Sequence, residues 1–226
     1  PLMVYSYDYY KDMDKDQDTN AARAKYFNKK SNIYPYILLS YLLFLIILLI
    51  FSNWTMIWFI LMLILVGILY TLGLKKFTQK IPAFKNLYTI LIWSLAGTFS
   101  IPFFNSLQIN LTYLLIFLFF YLKMLPNTIF FDLKDIKSDR KEGLKTIPVI
   151  LCKEKTLKFL KFLNLISFIP VFVGIYLKIL PVFTIIMLTF LFYSYYYLDK
   201  TGKIPDKEMK MDSYILADVE FILWPF

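Results

Sequence analysis

Six nearly uninterrupted apolar stretches constrain this sequence more than any motif does. They are Ile33–Phe51, Trp54–Leu74, Leu87–Phe104, Leu111–Phe131, Phe159–Leu177 and Ile179–Leu198. A helix crosses a bilayer with roughly 20 mostly apolar residues. Inside hydrocarbon, every backbone N–H and C=O must find a partner in the chain, which leaves helices and closed barrels. The stretches show no period of two, so helices are expected. Tyr214–Phe226 is a seventh candidate, but it is short and carries Asp218 and Glu220. Composition agrees with lipid as the solvent. Hydrophobic residues make up 59% of the 226 and charged residues 18%, against about 45–50% and about 25% in soluble domains. A single cysteine, Cys152, excludes a disulfide scaffold, and the absence of histidine excludes triads, His–metal sites and imidazole relays. The expected fold class is all-α, a polytopic transmembrane helical bundle, with residues 1–226 as a single domain. Pro1–Tyr7 reads as the end of another hydrophobic helix, so an N-terminal span is expected to be missing from this sequence.

The segments between the spans alternate in character. Ser52–Asn53, Asn105–Asn110 and the turn at Lys178 are short and nearly uncharged. The others are long and basic: six Lys and Arg fall in 8–30, four in 75–85, ten in 123–161 and four in 200–210. Only Lys178 of the 25 lies on the other side. Positive residues mark the cytoplasmic face, so the charged segments are expected there, in a multi-pass protein of the cell membrane. The net charge of +9 is then topological. No basic stretch is interleaved with stacking aromatics in the manner of a nucleic-acid surface. Trp54, Trp58, Trp224 and Tyr193–Tyr197 fall near expected membrane interfaces, where amphipathic rings collect. Trp93 falls within a span and could line a pocket.

The acidic residues cluster where spans emerge on the basic side. Asp8, Asp12 and Asp16 are spaced i, i+4, i+8, and Asp132, Asp135 and Asp139 are spaced i, i+3, i+7. Either spacing sets the carboxylates on one helix face. Like charges so placed destabilise a helix by a few tenths of a kcal/mol per pair, so a compensating cation is expected. Mg²⁺ takes carboxylate oxygens together with substrate phosphates. Two such rows on one membrane face suggest a binuclear site bridged by a diphosphate. Lys75, Lys76, Arg140, Lys141 and Lys145 are the bases available to hold that group, with Arg23 a further candidate. The bland alternative is that the carboxylates are solvated loop charges balanced by neighbouring lysines.

Asp132, Asp135, Asp139, Gly143, Thr146 and Pro148 together follow the order D-x-x-D-x-x-x-D, Gly, T-x-P. In this the segment resembles the second aspartate-rich motif of the UbiA superfamily of intramembrane prenyltransferases. Tyr70-Thr-Leu-Gly-Leu-Lys75-Lys76 resembles the family's tyrosine-to-basic segment at the end of a span. The first family motif, N-D-x-x-D-x-x-x-D, laid on Val4–Asp12 matches only Asp8 and Asp12, with Val4 and Tyr5 in place of Asn and Asp. The Arg-Pro pairs usual after that motif are absent. Cys152 stands after the second motif, where a small residue such as Gly is common, and is expected to be a buried, inert thiol.

The resemblance implies a helical bundle around a central cavity. It also implies Mg²⁺-dependent transfer of an isoprenyl group from isoprenyl diphosphate to an aromatic or other membrane-associated acceptor. It assigns metal binding to Asp8, Asp12, Asp132, Asp135 and Asp139, and diphosphate binding to Lys75, Lys76, Arg140, Lys145 and Arg23. Two other readings fit the spans: a polytopic transporter or lipid-binding membrane protein, and a degenerate relative that binds isoprenyl diphosphate without transferring it. Transporters carry ionisable groups near the bilayer midplane, whereas Lys123 is the one charge expected there, which favours a site at the membrane surface over a translocation path.

Overall fold

The computed structural model of the chain describes residues 25, 31–204 and 211–222. Among them there are helices and no strand. We label the α-helices α1 (Tyr34–Ile50), α2 (Trp54–Leu72), α3 (Phe84–Phe104), α4 (Leu111–Phe131), α5 (Ile136–Lys141), α6 (Ile147–Ile166), α7 (Ile169–Tyr176), α8 (Leu188–Gly202) and α9 (Met211–Ile222). Four helical stretches are long and apolar enough to cross a membrane: Phe84–Phe104, Leu111–Lys141, Ile147–Tyr176 and Val182–Gly202. Tyr34–Ile50 and Trp54–Tyr70 are shorter apolar helices, at the lower end of the spanning range.

The chain divides into two compact units, residues 1–75 with 100–107, and residues 76–99 with 108–226. In the first, α1 and α2 are apolar on every side and expose large side chains such as Phe44, Ile50, Trp54 and Trp58. Such helices suit lipid. Asn53 organises the turn between them. Its side-chain oxygen accepts from the Met56 amide at 2.8 Å, capping α2. Its amide group donates to the Phe103 and Phe104 carbonyls and to Ser106 Oγ. Phe59 and Phe103 stack nearby, with centroids 4.7 Å apart.

In the second unit α4 is the central element. It packs against α6 and α7, and α8 packs against α6 and α9. The core gathers Ile90 of α3, Leu125, Ile129 and Phe130 of α4, Leu157 and Leu160 of α6, Tyr197 and Leu198 of α8, and Ala217 of α9.

Several helices differ from the spans expected of the sequence. The fifth span is not one helix over Phe159–Leu177. It starts at Ile147 and breaks at Ser167–Phe168 before resuming as α7. Pro170 accounts for the break, since it lacks an N–H and is tolerated only in a helix's first turn. The sixth span does not begin at Ile179. That stretch turns back on Gly174, whose carbonyl accepts from the Ile179 and Leu180 amides. A Cβ on Gly174 would lie 2.6 Å from Leu180 Cδ1, so a larger residue would force the Leu180 side chain to shift. Residues Val182–Met187 then form a 3-10 helix before α8.

Tyr197 is not an interfacial ring but is buried in the core, and Tyr193 donates its hydroxyl to the Leu216 carbonyl at 2.8 Å. Cys152 is exposed rather than buried. It interrupts α6 at φ 61°, ψ 169°, a region occupied almost only by glycine. Trp224 lies outside the described residues.

Candidate active site

The second aspartate row does not continue α4 as a regular helix. Asp132–Asp135 is a 3-10 turn, followed by the short helix α5. A 3-10 helix has three residues per turn, so Asp132 and Asp135 still share a face, and Asp139 follows one α-turn later. Helix α5 ends in a Schellman arrangement. The Gly143 amide donates to the Arg140 carbonyl and the Leu144 amide to the Asp139 carbonyl. Gly143 has φ +69°, which is why glycine is required at this end.

The chain then pairs with the segment that precedes α3. The Lys145 amide donates to the Thr78 carbonyl at 3.1 Å, and the Ala83 amide donates to the Lys145 carbonyl at 3.0 Å. Gln79 Nε2 reaches the Glu142 carbonyl at 3.3 Å. This backbone junction brings the start of α3 beside the aspartate row.

Asp132 and Asp139 are both buried, with 4% and 5% of their surfaces exposed. Asp132 accepts from Asn86 Nδ2 at 2.8 Å and lies 3.4 Å from Lys85 Nζ. Asp139 accepts from Thr146 Oγ1 at 3.0 Å. Burial pushes the Asp139 carboxyl up to about 6, Asp132 and Asp135 push the same way, and Lys85 and the Thr146 hydrogen bond oppose them. Asp135 is half-buried. Asp139 therefore senses both of the other carboxylates.

They do not, however, close into a cage. Among the described residues no three acidic or thiol groups gather as a metal cluster. Asn86 and Lys85 engage Asp132, while Thr146 engages Asp139. The donor set still fits Mg²⁺, which prefers hard oxygens and is usually held by one or two carboxylates plus substrate phosphates. A nearby cation also favours the ionised form of a carboxylate that burial and like charge disfavour.

The bases named from sequence divide. Lys145 is exposed and approaches the Lys80 carbonyl at 3.5 Å. Arg140 and Lys76 are exposed. The Lys75 side chain, and all of Asp8, Asp12 and Arg23, lie outside what the structure describes. Two site residues were missed in the sequence, Lys85 and Asn86. Their one signal was position, at the start of a span on the basic side.

A second polar cluster lies in the bundle interior. Lys123 Nζ meets Glu220 Oε1 at 2.6 Å, Asn164 Oδ1 at 2.5 Å and Ser194 Oγ at 2.7 Å. Tyr197 donates to Glu220 Oε2 at 3.1 Å. Lys123, counted with the basic face in the sequence, is thus paired inside the protein, and Glu220 of α9 is its partner.

With this geometry in view, the comparisons give one finding. A sequence model of the UbiA prenyltransferase family matches residues 3–216. No curated protein and no solved structure matches the chain.

Proposed function

Because the chain belongs to the UbiA prenyltransferase family, we propose that it is a Mg²⁺-dependent enzyme of the membrane. In this reading it transfers an isoprenyl group from isoprenyl diphosphate to a membrane-associated acceptor. The observation that carries the reading is the buried pair Asp132 and Asp139, with Asp135 close enough to raise the Asp139 carboxyl. A bundle gains nothing in stability from three acidic groups so arranged, and a cation offsets their repulsion.

In this reading Asp132, Asp135 and Asp139 hold the metal together with Asp8 and Asp12, and bound Mg²⁺ neutralises charge on the leaving diphosphate. Thr146 keeps Asp139 oriented, and Lys85 stands beside Asp132. Lys75, Lys76, Arg140, Lys145 and Arg23 form the basic surround. Charge grows on the diphosphate oxygens as the C–O bond breaks, and fixed cationic groups stabilise that state selectively. The guanidinium of Arg140 suits a bidentate grip, and the lysines act as point charges. The site loops face the cytoplasm, as the distribution of basic residues favours.

The test is release of diphosphate from a radiolabelled isoprenyl diphosphate by the purified protein in lipid, with extracted membrane acceptors. Asp135→Asn and Asp8→Asn should each lower the rate by roughly 10³-fold or more, on the scale of losing a main electrostatic contribution. EDTA should abolish the reaction and Mg²⁺ restore it. Full turnover in either variant sinks the two-motif metal site. Labelling of a cysteine at position 137 in a Cys152→Ser background, from outside intact cells, sinks the orientation.

A further inference from the structure

Asn86 is fully buried. Its Nδ2 donates to Asp132 Oδ2 at 2.8 Å, while its Oδ1 has no hydrogen-bond partner. An unpaired buried amide oxygen costs about 1–3 kcal/mol, so it needs an explanation. The amide cannot be turned over to relieve it. A carboxylate only accepts hydrogen bonds, and turning the group would set two acceptor oxygens 2.8 Å apart. Asp132 therefore fixes which way the amide oxygen faces. The two amide atoms share one carbon, so the unpaired oxygen stays close to the Asp132 carboxylate that holds its Nδ2.

What could satisfy it is limited by chemistry. A diphosphate offers only acceptor oxygens near neutral pH, so it cannot pair with Oδ1 directly. A hard cation can, and amide oxygens are common ligands for such ions. The Asp132 carboxylate, bonded to Asn86 and sensed by Asp139, favours a cation near that oxygen.

We propose that Asn86 is a further member of the metal site, orienting Asp132 through its amide N–H and presenting its amide oxygen to the divalent cation. This rests on the metal reading given above. It adds a ligand-bearing position on α3, outside both aspartate rows, and makes the junction between 76–83 and 143–146 part of the site's construction.

The experiment measures Mn²⁺ binding to the full chain in lipid nanodiscs by electron paramagnetic resonance, with thermal unfolding followed in EDTA and in Mn²⁺. Asn86→Ala should weaken Mn²⁺ binding by roughly 10- to 100-fold, the range for removing such a partner. Asn86→Asp keeps a hard oxygen and loses the N–H donor, so it should unfold at lower temperature in EDTA and recover in Mn²⁺, with a larger cation-induced shift than wild type. Asp135→Asn is the reference. If Asp135→Asn weakens Mn²⁺ binding and Asn86→Ala does not, the assignment of Asn86 is overturned and the metal reading stands. If wild type shows no saturable Mn²⁺ binding, both fall. If Asn86→Asp is destabilised equally with and without Mn²⁺, Asn86 is only a packing contact and the proposal is overturned.

Discussion

Lys123 and Asp139 are both buried ionisable groups in the same compact unit, yet their surroundings differ in kind. Lys123 meets an opposite charge, an amide oxygen and a hydroxyl, from α9, α6 and α8. Both oxygens of Glu220 are engaged, one by Lys123 and Ser194, the other by Tyr197. Asp139 has one hydroxyl donor, two like charges nearby and a single lysine to oppose them. Asn86, bonded to Asp132, keeps an unpaired oxygen. The first cluster pairs opposite charges in the interior, whereas in the second burial and like charge hold the Asp139 carboxyl above its usual range. Intramembrane charge is read by default as a functional site. Here pairing separates the two cases: the closed network holds helices together, and the open one is where chemistry is expected. Lys123, the one charge expected inside a span, is paired within the packing.

The comparison breaks most readily at Lys123. Removing one member of a buried pair leaves an uncompensated charge, at about 3–5 kcal/mol. Lys123→Met should therefore lower unfolding temperature in detergent strongly, and adding Glu220→Gln should recover part of the loss. Diphosphate release per folded molecule should stay near wild type. If folded Lys123→Met protein binds substrate but does not turn it over, the closed network is catalytic after all and the contrast fails.

A smaller effect is expected at Thr146→Val. Asp139 titrates at about 6 in the folded protein and near 3.9 unfolded. The folded state holds its proton longer, so in EDTA this group makes stability fall as pH rises from about 4 through about 6. Thr146 donates to the carboxyl, and its loss should matter more when the group is ionised. The expected cost is about 1.5–3 kcal/mol at pH 7 and about 0.5–1.5 kcal/mol at pH 5. Thermal unfolding in EDTA at both values measures it. Equal losses at the two pH values would show that Asp139 is not the strained member of its cluster.

The smallest effect separates exposed bases from one another. Arg140→Lys keeps the charge but loses the planar fork, and should reduce turnover severalfold. Lys203→Gln, at the end of α8 and outside the motifs, should leave it unchanged. Equal losses would place the basic surround on the wrong loop, and no loss in either would leave these residues a topological role alone.

The sequence by itself determined the solvent, the fold class and the aspartate motif. These are local properties: hydropathy over some twenty residues decides whether a segment belongs in lipid, and the spacing of Asp132, Asp135, Asp139, Gly143 and Thr146 is read along one short stretch. Gly143 was legible because only glycine adopts its backbone angles cheaply. The helix start at Ile147 was hidden by the lysines that follow it, and the break at Ser167 was signalled only by Pro170. Tertiary structure alone decided which polar atoms meet. Asn86 and Asp132 are 46 residues apart, and Glu220 reaches Lys123 only because α9 docks on α8. A helix apolar on all sides carries no pattern that says which face turns inward. Its rotation is set by packing against its neighbours, and packing is what pairs Lys123 with Glu220 and sets Asp139 against Thr146.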